Sequence, residues 1–445
     1  MNITNIVSSE NCCIGCGVCV FACPVNHLRI VKNEYNQLSV FENDNKCLEK
    51  CSICSSVCPF SNQAKDENTL SDRLFQSVHP NYCKDVGYYL GCYVGYHPLE
   101  QKRINCASGG LLSYLLEHLL AEGLIDTAVL AGRVNTPPFF SYQLCHSADD
   151  VYRYSRSVYS IININQAINA ILKDDSIQKV AVVALPCTSK ALRNAVQYSP
   201  MLKGKLKYII GIVCGQQKSN NFIDYLASKN NVHKLSGVIF RTKKENRPNG
   251  NFGVQLFGTN GLEKEITFSS YAKECSYKLF TVPACNLCDD IFAETADIAF
   301  MDAWLPEYKN SDKGENLVVT RNKELDEIIA KIETVHPINI DRIVESQASV
   351  VKNKREGICE SIICSKRKFK NTPLKRVGIL SKPNFLEKYL YRIKYDISIN
   401  SDRLWFESGR NYRQFNATFK KRYGNKLLIG LTLNKLNLII KRLFK

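Results

Sequence analysis

Residues 13–24 read CIGCGVCVFACP and residues 47–59 read CLEKCSICSSVCP. The first run is C-x2-C-x2-C-x3-C-P, and the second repeats it with one extra residue at its start. Three thiolates so closely spaced can grip three irons of one cubane, while the fourth Cys, ahead of Pro, reaches the other cluster. The spacing therefore assigns Cys13, Cys16, Cys19 and Cys58 to one 4Fe-4S site. It assigns Cys47, Cys51, Cys54 and Cys23 to a second. Cys12 competes for the first site, since Cys12-x3-Cys16 mirrors Cys47-x3-Cys51. Paired zinc sites are the alternative, because C-x-x-C is also a zinc spacing, but two complete quartets ending in Cys-Pro weigh against it. Gly15 and Gly17 let the backbone fold tightly enough to aim amide N–H groups at cluster sulfurs.

The rest of the chain sets the frame around these runs. At 445 residues, 45% of them hydrophobic, it has room for two or three domains. Twenty Cys in a short secreted chain would imply disulfides. This chain is long, and its opening MNITNIVSSE has neither a basic nor an apolar leader segment, so a reducing cytoplasm and metal-binding Cys are expected. No window approaches the roughly 18 apolar residues of a spanning helix. The net charge of +17 is local: residues 365–445 carry 21 Lys and Arg against 4 Asp and Glu, and the first 364 residues balance. A basic surface built for nucleic acid is thus excluded for the body, and nucleic acid is not an expected partner.

The Cys runs reproduce the bacterial two-cluster ferredoxin pattern, placing a ferredoxin fold at 1–62. The polar stretch 61–82 has few residues that look buried and reads as a linker, 63–86. From residue 87 to 340 helix-like and strand-like segments alternate: helix 108–122, strand 126–134, helix 164–172, strand 180–185, helix 188–196, strand 208–213, helix 221–229, strand 237–242. This predicts an α/β body. Strands 253–257 and 265–269 are expected to run antiparallel and make its sheet mixed. Residues 341–445 form a basic, mainly helical extension. The expected class is a multidomain α+β and α/β chain.

A second Cys constellation lies in the body. Cys187 follows a strand and Pro186 and opens a helix, where dipole and free N–H groups favour a thiolate. Cys214 ends the next strand-like run, and Cys285-x2-Cys288 precedes another. Four Cys from loops at one sheet edge would make a third 4Fe-4S site; two structural Cys beside a lone C-x-x-C is an equal reading of the spacing. Arg103-x4-Ser108-Gly109-Gly110 opens a helix, as an anion cradle or as an ordinary Ser cap.

In order, these pieces resemble the coenzyme F420 hydrogenase/dehydrogenase beta-subunit family of iron-sulfur flavoproteins. The stretches that carry the resemblance are CASGGLLSYLLEHLLAEGLIDTAVLAG, SVYS, LPCTSKALRNAV, VCGQQKSNNFIDYL, VIFRTK and CNLCDDIFAETADIAFMDAW, within about residues 105–331. The resemblance implies an FAD-binding domain with one 4Fe-4S cluster ligated by Cys187, Cys214, Cys285 and Cys288. It also implies flavin-site roles for Ser108, Gly109 and Gly110, with Arg103, Tyr159, Arg241 and Lys243, and matches Asp302 and Trp304 to the family's Gly-Asp-x-Trp. The sequence departs from the family at Ala184, Leu185, Thr188, Gly215 and Met301, so neither a substrate nor deazaflavin specificity is carried over from the resemblance. No catalytic residue is assigned.

The tail, residues 425–445, suits an amphipathic helix. Leu428, Ile429, Leu433, Leu436, Ile439, Ile440, Leu443 and Phe444 share one face, with Asn434, Asn437, Lys441 and Lys445 opposite. Such a helix rests on the cytoplasmic face of an anionic membrane, docks on a partner subunit, or packs on its own domain. Two function classes follow. One is an oxidoreductase passing electrons between the clusters and FAD, to or from a small substrate, with reduced ferredoxin or a deazaflavin-like coenzyme as redox partner. The other is a non-enzymatic electron-relay subunit of a membrane-associated complex.

Overall fold

The computed structural model describes residues 3, 4, 7, 12–78, 81–366 and 381–443. In the N-terminal part, short helices Val18–Phe21 and Ile53–Val57 each emerge from a Cys run. An antiparallel hairpin, Leu28–Lys32 with Leu38–Glu42, separates them. Val18, Leu28, Val40, Val57 and Phe60 are buried in one apolar cluster with Ile168 and Ile171 of helix Asn165–Lys173 and Ala191 and Leu192 of helix Pro186–Ala195. The N-terminal part therefore shares a core with the body.

The stretch read as a linker is a correction. It holds helix Glu67–Phe75, whose N-terminus is capped where Asp66 accepts from the Thr69 N–H at 2.8 Å. Glu67, Leu70, Ser71 and Phe75 are buried, and Glu67 pairs with buried Lys190 at 3.1 Å. Polar composition concealed this helix because two of its four inward residues are themselves polar.

The body is built on an eight-stranded sheet. Its strand order is Val335–Pro337, Cys92–Gly95, Asn316–Thr320, Ile298–Asp302, Leu206–Ile212, Val180–Ala184, Thr127–Arg133, Phe140–Cys145. The four strands from Ile298–Asp302 to Thr127–Arg133 are parallel; those flanking them are antiparallel. Alternation along the strands supplies two faces. Ala181 and Val183 pack with Leu111, Leu115, Leu116 and Leu119 of helix Leu111–Ala121, while Val180, Val182 and Ala184 pack toward the helices beneath the N-terminal part.

The sheet is mixed as expected, but not through the strands the sequence pointed to. Gly253–Gly258 and Glu263–Thr267 instead pair with Leu235–Thr242 in a separate antiparallel sheet. The three follow one another in the chain, so antiparallel pairing satisfies their backbones with consecutive neighbours. Among the described residues, the C-terminal part holds helices Ala348–Lys366, Phe385–Glu407 and Tyr412–Leu443. The last two join the body through an aromatic cluster, Tyr225 against Trp405 at 5.7 Å and Phe280 against Phe415 at 5.5 Å. No helix among the described residues is long and apolar enough to cross a membrane.

Candidate functional site

The N-terminal runs fold into two thiol groups. Burial, and then the neighbouring thiols, pushes Cys16 up to about 12 and holds Cys19 and Cys58 well above the ordinary thiol range; the neighbours acting on them include Cys13. Thiols so crowded ionise only when positive charge is placed among them, which an iron core supplies. Cys23, Cys47, Cys51 and Cys54 line one cavity. Amides already aim at sulfur, Gly15 N–H to Cys13 Sγ and His27 N–H to Cys23 Sγ, each at 3.3 Å. Gly15 has φ +64°, and a Cβ there would meet Leu38 Cβ at 2.6 Å, so no larger residue fits this turn. Cys12 lies in the apolar core with Ile3, Val7 and Ile14, whereas Cys13 stands among the thiols of the first quartet. Among the described residues no three His, Cys, Asp or Glu groups converge as one metal ion requires. Thiols that each face a different iron of a cubane need not converge on one point.

The body quartet comes together from three loops at the C-terminal edge of the parallel strands. Cys187 is the second residue of its helix, after Pro186. Cys214 follows Leu206–Ile212, and Cys285 sits in the single turn Pro283–Leu287 with Cys288 directly after it. Burial, and then Cys288, Cys214 and Cys285, drives Cys187 well above the ordinary thiol value. The backbone N–H of Gln217 donates to Cys285 Sγ at 3.3 Å. Lys354 Nζ donates to Cys288 Sγ at 3.3 Å and to the Asp290 carbonyl at 2.9 Å. Burial would strip this lysine of its proton, but the surrounding thiols outweigh burial and hold its pKa above the usual lysine value. Sequence reasoning passed over Lys354, which no motif marks. Its only signal is a basic residue on a helix face that turns inward.

The residues carried over as flavin-site residues also form one connected group. Arg241 makes a two-pronged pair with Asp302, at 2.8 and 2.5 Å, and its guanidinium lies 4.6 Å from the Phe252 ring and 5.8 Å from Trp304. Its backbone has φ +58°, a conformation that strains a side-chain-bearing residue. Tyr159 stacks on Phe252 at 6.3 Å and meets Phe240 edge-on at 5.2 Å. Among the described residues the buried Arg241 Nε and Ser160 hydroxyl have no hydrogen-bond partner. An aromatic floor with a fixed cation and orphaned polar atoms suits an anionic, aromatic group such as FAD.

The other members of the group are spent on scaffold. Arg103 donates to the Gly314 carbonyl at 3.0 and 2.9 Å and pairs with Glu315 at 2.6 Å. The Ser108 hydroxyl donates to the Glu315 carbonyl, and the Leu111 N–H, at the helix start, donates to Asn316 Oδ1. Lys243 Nζ donates to the carbonyls of Arg103 and Lys313, each at 2.6 Å, and of Ser108. Burial, then Arg241, lowers Lys243 to about 7, yet three carbonyl acceptors are matched only by the ammonium form. A Cβ on Gly109 would meet the Asn316 backbone N at 2.8 Å, so this glycine is required by the close approach of residue 316.

Residues 159–164 link the aromatic group, the body quartet and the first N-terminal quartet. Tyr159 belongs to the aromatic group. The Ser160 carbonyl accepts from Gln217 Nε2 at 3.4 Å, and the Gln217 backbone reaches Cys285. Ile161 abuts Gly15, and the Ile164 N–H donates to the Cys16 carbonyl at 2.8 Å. Tyr142, whose pKa is raised first by burial and then by Cys187 and Cys16, lies beside both quartets.

Residues 92–169 match the family model for the N-terminal part of the coenzyme F420 hydrogenase/dehydrogenase beta subunit, and residues 177–346 match the model for its C-terminal part. The chain is 23% identical over 374 residues to the coenzyme F420-dependent sulfite reductase of Methanocaldococcus jannaschii, covering 80% of this chain and 51% of that protein. It thus spans about half the length of that relative. It is 19% identical over 288 residues to the coenzyme F420 hydrogenase subunit beta of Methanosarcina barkeri, covering 61% of this chain and 95% of that one. A chain of the F420-reducing NiFe hydrogenase complex from Methanosarcina barkeri aligns with a TM-score of 0.44 at 16% identity, over 75% of this chain and 97% of that one.

Proposed function

This chain belongs to the coenzyme F420 hydrogenase/dehydrogenase beta-subunit family, and from that premise we propose that it is an iron-sulfur flavoprotein oxidoreductase moving electrons between three 4Fe-4S sites and FAD. FAD would supply the exchange between two-electron and one-electron chemistry, and the clusters single-electron carriage. The observation that supports this reading is that residues 159–164 join the aromatic group at Tyr159, the first N-terminal quartet at the Cys16 carbonyl and, through Gln217, the body quartet at Cys285. On this reading 1–62 is the ferredoxin domain, 63–86 its anchored connection, 87–340 the flavin and cluster body, and 341–445 the extension. Arg241, fixed by Asp302, would hold the flavin's anionic edge, and Tyr159 with Phe252 would exclude water from its ring. Arg103, Ser108 and Lys243 would support it indirectly by shaping loop 313–315.

The redox partner on this reading is a small substrate, a deazaflavin-like coenzyme or reduced ferredoxin. The departures at Ala184, Leu185, Thr188 and Gly215 cluster around Cys187 and Cys214, so the substrate site differs from the family pattern where the body cluster would sit. The inward commitment of Arg103, Ser108 and Lys243 favours a second reading, an electron relay without flavin. An anaerobic preparation assayed for flavin, iron and sulfide separates the two. FAD together with iron for three cubanes is expected; iron for two cubanes and no flavin would overturn the oxidoreductase.

A further inference from the structure

The last helix is packed with its sides reversed. Toward its C-terminal half the residues turned onto helix Phe385–Glu407 are Tyr423, Leu427, Gly430 and finally Asn437, which is only 4% exposed. Gly430 lies so close to Leu390 that a Cβ would meet its Cδ1 at 3.1 Å. Asn437 accepts from Asn384 Nδ2 at 2.6 Å and donates to Glu387 Oε1 at 2.9 Å, and Lys352 reaches the same Glu387 oxygen at 3.0 Å. This polar network fixes the helix's rotation. Turning it by half a revolution would bury its aliphatic side chains, but would take from buried Glu387 one of its donors. The aliphatic face consequently points out: Leu428 is 66% exposed and Ile439 54%, in line with Ile429, Leu436 and Ile440. Phe385, at the adjoining start of the neighbouring helix, is 84% exposed.

The charge around that face has one sign. Residues 408–445 contain ten Lys and Arg and no Asp or Glu, and Lys420, Lys421, Lys426 and Lys435 are exposed. We propose that this outward face rests, parallel to the surface, on a bilayer containing anionic phospholipid. Hydrocarbon accepts exposed Leu and Ile side chains that offer nothing to hydrogen-bond, and the lysines beside them meet the headgroup phosphates. Single-stranded nucleic acid would need a row of outward aromatic rings to stack successive bases on; Phe415 and Tyr423 are turned inward, and Phe385 is a single ring beside the face.

The test is flotation of the full-length holoprotein, prepared anaerobically, with vesicles of phosphatidylcholine alone or of an equal mixture with phosphatidylglycerol. The protein should float with the mixed vesicles and not with phosphatidylcholine alone, and added salt should weaken the binding. The double variant L436E/I439E alters only exposed side chains and should lower the partition constant roughly tenfold or more while iron content stays unchanged. Variant K426E/K435E should lower it by a smaller factor. Failure of the wild type to float, equal flotation with neutral vesicles, or full binding by L436E/I439E would overturn the proposal. So would a wild-type dimer that L436E/I439E turns into a monomer without any vesicle binding, which would assign the face to a second copy of the chain.

Discussion

The N-terminal quartets and the body quartet gather the same side chain, cysteine, and are made in opposite ways. In the N-terminal part three thiols of each group come from one short run, and the chain needs only tight turns and one exchanged Cys to finish them. In the body no two of the three loops holding Cys187, Cys214 and the Cys285–Cys288 pair are close in sequence; the parallel strands deliver them to one edge. The surroundings differ as well. The second N-terminal group includes exposed Cys47, whereas the body group carries a buried lysine directed at Cys288. A locally encoded site can tolerate change around it, while a site assembled by tertiary structure depends on everything that positions its loops.

The sharpest way to break that comparison is to remove one ligand on each side. Cys285→Ala should cost about a third of the bound iron and leave the electron paramagnetic resonance signals of the N-terminal clusters in place. Cys51→Ala should do the converse. If Cys285→Ala also strips the N-terminal clusters, the two regions are not separate metal-binding units despite their shared core.

A second, smaller effect is expected at the join between the regions. Buried Asp402 accepts from Gln37 Nε2 at 2.7 Å, from Asn221 Nδ2 at 2.6 Å and from the Ser219 hydroxyl, tying the N-terminal hairpin to a C-terminal helix. Asp402→Ala leaves three buried donors unpaired, a cost of about 3 kcal/mol. Hydrogen exchange over residues 28–42 should then quicken while the central sheet keeps its protection. Unchanged exchange would show that apolar packing alone holds the hairpin.

The smallest expected effect is a shift of potential. Lys354→Met removes a positive charge in contact with Cys288, so the body cluster should become harder to reduce. A redox titration should show its midpoint moving to more negative potential with the N-terminal midpoints unmoved. A shift in all three would mean that the lysine acts through the fold and not on one site.

Much of the body was legible in advance because its helices and parallel strands are strongly patterned. Helix 221–229 matches the structure residue for residue, and the strand at 180 ends within a residue of its expected end. The misses have physical causes. Cys92–Gly95 and Val335–Pro337 are too short to show a period; the first exists because Asn316–Thr320 offers an edge to pair with, and the second because Cys92–Gly95 then offers the next edge. Helix Glu67–Phe75 turns Glu67 inward because Lys190 waits there, which no local pattern reveals.

The residues alone specified the thiol spacing of the N-terminal runs and the separation of basic tail from neutral body, because each depends on neighbours in the chain. Which thiols form the body quartet, that Cys13 and not Cys12 stands with the first group, and the place of Lys354 were settled by packing, because they depend on distances between segments far apart in sequence. The tail shows the division most plainly. Its amphipathic pattern was readable from residues 425–445, but a helical wheel cannot say which face turns in. That was decided by Asn437, held between Asn384 and Glu387.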